Sequence, residues 1–188
     1  MNNQLGKKNI AILATNGFEE VELAQPRKAL EDAGATTYIV SPESESITAW
    51  DHDHWSDEYD VDVPLDKTNA EEFDALLLPG GVLNPDQLRL NEKAIQFVTQ
   101  FLHDRKPVAA ICHGAQTLIE TGELKGKKMT SYPSIKTDLI NAGANWVDEE
   151  VVVDRGLVTS RKPADIPAFN DKMIEEFSKG IYSEISPN

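Results

Sequence analysis

One cysteine in 188 residues cannot form an internal disulfide or a cysteine-rich zinc cage, and its scarcity fits a reducing compartment. A cytoplasmic location is therefore expected. Basic residues are also in short supply: 18 Lys and Arg stand against 32 Asp and Glu, a formal charge of −14. Such a surface repels phosphate backbones and anionic lipid, so neither nucleic acid nor a membrane is expected as a partner. No apolar run approaches the roughly 18–20 residues needed to span a bilayer; Ala75–Leu78 and Val108–Cys112 are only of strand length. The lysines before the first apolar run are followed by Thr15, Asn16 and Gly17 and then by acids, which reads as a first strand and not as an export signal. Repeats and low-complexity linkers are absent. What remains is an ordinary globular composition, 40% hydrophobic and 27% charged, in a chain of one-domain length.

Apolar runs at Lys8–Ala14, Thr36–Ser41, Asp74–Leu78 and Pro107–Ile111 lack alternation, as expected of parallel strands covered on both faces. Between them, Glu19–Ala33 and Glu92–Arg105 carry apolar residues at helical spacing, the first stopped by Gly34 and kinked at Pro26. Glu43–Asp66 reads as a hairpin-like excursion, and Asn69 with Glu72 as a helix cap. Ala115–Thr121, Ser134–Ala142 and Ala164–Lys179 read as helices, Lys128–Ser131 as a short strand, and Trp146–Val153 with Leu157–Ser160 as a strand pair. Strands alternating with helices along the whole length give a doubly wound α/β fold with a mainly parallel sheet, taken as one domain over 1–188 with its core at about 8–177. Ligands in such folds bind beyond the carboxyl ends of the strands, where Gly17-Phe18-Glu19, Pro79-Gly80-Gly81 and Cys112-His113-Gly114 should converge.

Ala110-Ile-Cys-His-Gly114, between a strand and a helix, has the layout of a nucleophile elbow with Cys in place of Ser. A helix N-terminus favours thiolate and can lower the pKa of Cys112. The plainer alternative, a small buried residue ending a strand, is outweighed by that setting. A hydrolytic cysteine needs a base, and the four histidines are His52, His54, His103 and His113, none of them after position 113. A glutaminase-type triad with a later His-x-Glu is thereby disfavoured, and adjacent His113 leads. His103 lies on a helix whose apolar face is already assigned. Glu19 could place its carboxyl beside the thiol, or serve only the helix dipole. Gly80-Gly81 could offer amides to an oxyanion together with the His113 N–H, or simply make a tight turn. Asp51-His-Asp-His54 invites a metal, but a third ligand and second shell cannot be located, and a solvated loop anchored by Trp50 and Trp55 is preferred. No metal or cofactor is expected.

Gly17-Phe-Glu-Glu-Val-Glu-Leu23, Phe73-Asp-Ala-Leu-Leu-Leu-Pro-Gly-Gly81, Arg89-Leu-Asn-Glu92, Ala110-Ile-Cys-His-Gly114, Thr130-Ser-Tyr-Pro133 and Asn141-Ala-Gly-Ala-Asn-Trp-Val-Asp148 closely resemble the PfpI family of intracellular proteases. That family falls in the class I glutamine amidotransferase-like superfamily with the DJ-type stress proteins. The resemblance implies a flavodoxin-like sandwich, dimeric or larger, with Cys112 as nucleophile, Glu19 as the acid bonded to it, His113 as its histidine, and Gly81 and His113 as oxyanion donors. It further implies that Asp86, from a neighbouring subunit, orients His113; here Asp replaces the family's Glu, with one extra residue nearby. The Trp50–Trp55 insertion resembles a bacterial general-stress-protein branch. Two functional classes follow: an enzyme acting on small carbonyls (glyoxalase- or deglycase-like) or peptides, and a redox-sensing or protective protein that uses an oxidisable Cys112.

Overall fold

The computed structural model describes residues 3–182; the ends of the 1–188 span, residues 1–2 and 183–188, lie outside the described residues. In chain order the elements are β1 (Asn9–Leu13), α1 (Glu20–Asp32), β2 (Thr36–Ser41), β3 (Ser46–Asp51), β4 (His54–Asp60), β5 (Val63–Pro64), β6 (Ala75–Leu78), α2 (Leu83–Leu88) and α3 (Glu92–His103). They continue with β7 (Val108–Ile111), α4 (Gln116–Ile119), β8 (Lys128–Met129), α5 (Lys136–Asn141), β9 (Asn145–Trp146), β10 (Val151–Asp154), β11 (Leu157–Ser160) and α6 (Ile166–Lys179). Seven strands form one sheet in the order β10-β11-β7-β6-β1-β2-β5, parallel throughout except for β10 against β11. This is the mostly parallel, helix-flanked architecture that the apolar runs predict, and the flavodoxin-like fold that the family resemblance implies.

Both faces of the sheet are buried, and successive residues serve opposite cores. Ala11, Leu13, Leu76, Leu78, Val108 and Ala110 pack with Phe97, Phe101 and Leu118 on the α3–α4 side. Ile10, Ile12, Ala75, Leu77, Ala109 and Ile111 pack with Leu23, Phe169 and Phe177 on the α1–α6 side. Period-two placement with apolar residues at every position produces runs without polar alternation. Helix α3 buries Ala94, Phe97, Val98, Phe101 and Leu102 behind an Asn91 cap whose side chain accepts from the Ala94 N–H at 3.1 Å.

Three expectations need revision. The segment at 146–153 is not one strand: β9 pairs with β8 in a separate ribbon, and β10 begins only after the exposed acids Asp148, Glu149 and Glu150. Asn69 accepts from the Glu71 N–H, but only a single 3₁₀ turn at Ala70–Glu72 follows. Helix α2 has no counterpart among the expected elements; Pro85 occupies its first turn, where no N–H is required. Helix α1 runs through Pro26 without interruption.

Candidate active site

Strand β7 delivers Cys112 to the carboxyl edge of the sheet, and the chain reverses there with φ +60° at Cys112, a left-handed conformation that non-glycine residues seldom adopt. A side chain at Gly114 would strike the carbonyl oxygens of Leu78 and Pro79, so the 3₁₀ turn Cys112–Ala115 can press against the end of β6 only with glycine there. Buried Asn84 ties the neighbouring strand ends together: its Oδ1 accepts from the Thr15 N–H at 2.8 Å, and its Nδ2 donates to the carbonyls of Pro79 and Gly80. The three strand-end segments do converge. They border a cleft of about 610 Å³ whose lining includes Glu19, Glu22, Gly81, Cys112, His113 and Tyr132.

The acid beside the thiol is Glu22, and here the expectation for Glu19 is corrected. Helix α1 starts at Glu20, so Glu19 is an extended capping residue whose carboxylate turns to the cleft mouth, 3.4 Å from Nδ1 of His52. One turn further on, Glu22 lies on the inward stripe with Leu23, Pro26 and Leu30, and it is 0% exposed. Its Oε2 accepts from the Gly80 N–H at 3.0 Å, the Gly81 N–H also reaches its carboxylate, and the Cys112 thiol is a hydrogen-bonding neighbour. The signal was present in the sequence: an acid at apolar spacing on an amphipathic helix.

Burial pushes the Glu22 pKa up to about 8, against the pull of its hydrogen bonds, so the carboxyl keeps its proton at neutral pH. Burial and the negative charge of ionised Glu22 push the Cys112 thiol up, while the backbone N–H groups of His113 and Gly81 pull it down. The helix-end expectation of a low thiol pKa thus omitted desolvation, since Cys112 is only 7% exposed. Once Glu22 carries the proton it changes from a repelling charge to a donor, so the protonation states of the carboxyl and the thiol are coupled.

His113 points Nδ1 at Cys112 Sγ, 3.3 Å away, and Nε2 at the Ser134 hydroxyl, 3.0 Å away. Its ring stacks on Tyr132 with centroids 4.6 Å apart, and burial lowers its pKa toward the neutral imidazole. Ser134 was not singled out in the sequence, although it directly follows the Thr130-Ser-Tyr-Pro133 motif. A hydroxyl can donate or accept, so it holds the ring without fixing which nitrogen bears the proton. Asp86 is exposed on α2 and does not line the cleft of its own chain. The amides of Gly81 and His113 both face Sγ, where an oxyanion would form. Of the other histidines, His52 lies in the hairpin turn beside Asp51, His54 opens β4 beside Asp53, and His103 pairs with Glu123 at 3.0 Å. Among the described residues Glu19, Asp51 and His52 form the one cluster with metal-ligand spacing, and His54 is outside it.

A family model described as the DJ-1/PfpI family matches residues 8–176. The chain is 48% identical over 166 residues to Deglycase PH1704 of Pyrococcus horikoshii, covering 88% of this chain and 97% of that protein. It is 45% identical over 176 residues to General stress protein 18 of Bacillus subtilis, covering 93% of this chain and 100% of that protein. Among solved structures, a two-domain protein from Anabaena variabilis with dj-1/thij/pfpi-like and ferritin-like domains superposes with a TM-score of 0.86 at 34% identity. The match covers 97% of this chain and half of that one.

Proposed function

Because this chain belongs to the DJ-1/PfpI family, we propose that it is a Cys112-dependent enzyme acting on small carbonyl compounds, in glyoxalase- or deglycase-like chemistry, in preference to peptides. The observation that carries this reading is the buried Glu22 carboxyl beside Cys112, protonated at neutral pH and accompanied by the Gly81 and His113 amides. Peptide hydrolysis must also protonate an amine leaving group, and its usual device is a histidine held by a carboxylate. Within this chain His113 is held by the neutral Ser134 hydroxyl, so a carboxylate for it has to come from a second copy, whereas the proton-carrying Glu22 stands beside the thiol of the same chain.

With methylglyoxal the steps balance without an external oxidant. The thiolate adds to the aldehyde carbon; the new alkoxide is received by the two amides and takes the Glu22 proton. Glu22, now ionised, removes the hydrogen of that carbon as a proton and returns it to the adjacent carbonyl carbon through an enediol. One carbon is oxidised to a thioester and its neighbour reduced to an alcohol; water then cleaves the thioester, releasing lactate and restoring the thiol. Purified, fully reduced protein should form lactate faster than it cleaves a fluorogenic peptide, and Cys112→Ala should abolish lactate formation. Peptide cleavage without lactate would reverse the ranking.

A second reading rests on the Glu22 Oε1 atom, which is buried without a hydrogen-bond partner. A peroxide would oxidise the thiolate to a sulfenic acid with release of water or alcohol, and the spare carboxyl oxygen would bond the added oxygen. Support for this reading would be one- or two-oxygen mass gains confined to Cys112, in protein that turns over neither substrate.

A further inference from the structure

A second pocket lies at the amino edge of the sheet, away from Cys112. It encloses about 340 Å³ between the end of α3, the loop that leads into β8, the β10–β11 turn and Tyr182 beyond α6. Val108 opens β7 on this side, donating its N–H to the Gly156 carbonyl at 3.0 Å, whereas Cys112 follows the last residue of that strand. The two sites are separate. Arg105, Lys125, Lys127 and Arg155 all line the pocket, four of the 18 Lys and Arg in a chain of formal charge −14. Among the described residues the one carboxylate in the lining is Glu123, and His103 holds it at 3.0 Å. Leu102 and Tyr182 supply an apolar wall. A side chain at Gly156 would strike the Tyr182 ring, so the ring can rest on the β10–β11 turn only with glycine there.

Lys127 is the group that calls for a ligand. It is only 9% exposed, and among the described residues its ammonium forms no hydrogen bond and no ion pair; it faces the Tyr182 ring, 5.9 Å from the centroid. Lysine is almost never buried without a partner, because a desolvated ammonium that meets no acceptor is costly. Burial first and the Arg155 charge second push its pKa down, against the pull of Asp154 and Glu123. Arg155 is fixed beside it: Nε and Nη2 donate to the Asp154 carboxylate at 3.0 and 3.1 Å, and Nη2 also to the Gly126 carbonyl at 3.1 Å. We infer that this pocket binds a small phosphate monoester, its phosphate received by Lys127 and Arg155 with Arg105 and Lys125 around it, and its carbon body set against Tyr182 and Leu102. A phosphate group has more oxygens to share than a carboxylate and so can accept from several cations at once. The volume is that of a small-molecule pocket, and the negative charge of the rest of the surface disfavours a nucleic acid or an anionic bilayer as the source of the phosphate.

Glycerol 3-phosphate is a suitable probe, titrated into isotope-labelled full-length protein at an ionic strength held constant with sodium chloride and followed by two-dimensional amide NMR. The amide signals of Lys127, Arg155 and Tyr182 should shift together and saturate with a Kd at or below about 1 mM. Inorganic phosphate should bind the same residues more weakly, glycerol should shift none of them, and vesicles containing phosphatidic acid should not sediment the protein. Lys127→Met keeps the apolar stem without the charge and should weaken binding at least about tenfold. Lys28→Met, at an exposed lysine of α1, should leave it unchanged. Shifts that grow without saturating, or that centre on other amides, overturn the inference. So do inorganic phosphate binding as tightly as the ester, glycerol producing the same shifts, sedimentation with the vesicles, or a folded Lys127→Met that binds like wild type. The wild-type titrations decide the matter even where the variant fails to fold, and none of these measurements depends on turnover at Cys112.

Discussion

Glu22 derives its chemistry from where its helix puts it. In water its carboxyl would be ionised at neutral pH; against Cys112, with no exposed surface, it holds a proton to about pH 8. Raising a carboxyl pKa on folding makes that group's contribution to stability full below its ordinary value of 4.5, and the contribution is lost as pH rises through the folded value near 8. At about 1.36 kcal/mol per pKa unit, the loss amounts to at most about 5 kcal/mol. Glu22→Gln removes the titration while keeping an oxygen to accept from Gly80. Thermal melts between pH 5 and 9 should therefore show wild type losing stability relative to Glu22→Gln as pH rises. Parallel curves would mean that Glu22 ionises like an exposed acid.

At the scale of elements, the parallel strands were legible because residues 10–13 of β1 and every position of β6 and β7 enter one core or the other, leaving no polar alternation. The elbow was legible because small residues flank Cys112 where a strand gives way to a helix. Elements set by distant contacts were not. Helix α2 is recruited by Asn84, which binds the ends of β1 and β6, and nothing local announces it. The placement of Glu19 and Glu22 turned on the first residue of α1, and a boundary shift of one residue exchanges a helix cap for a position inside the first turn. Ser134 reaches His113 across 21 positions of sequence, a pairing that depends on the Tyr132 N–H donating to the Cys112 carbonyl at 3.1 Å.

For the molecule as a whole, we propose a homo-oligomer in which Asp86 of one copy completes the His113–Ser134 pair of another. Val82, Leu83 and Leu90 present exposed apolar surface around Asp86, which supports an interface on this side. Asp86→Ala alone should lose peptide cleavage, the activity that needs a carboxylate-held histidine, and mixing it with Cys112→Ala protein should restore that cleavage through sites that take one intact residue from each chain; a fully active Asp86→Ala would contradict the shared site. A mixture as inactive as its parents after subunit exchange would contradict the shared site, as would a monomer by sedimentation at micromolar concentration.

The pairing of Cys112 with a proton-carrying Glu22 is most directly tested by measuring iodoacetamide alkylation and lactate formation side by side in Glu22→Gln. The amide still donates a hydrogen bond to a thiolate but cannot shuttle a proton between carbons. Alkylation should stay within about threefold of wild type while lactate formation falls at least about 100-fold, the range that a lost general acid–base implies. Lactate formation at the wild-type rate would contradict the account.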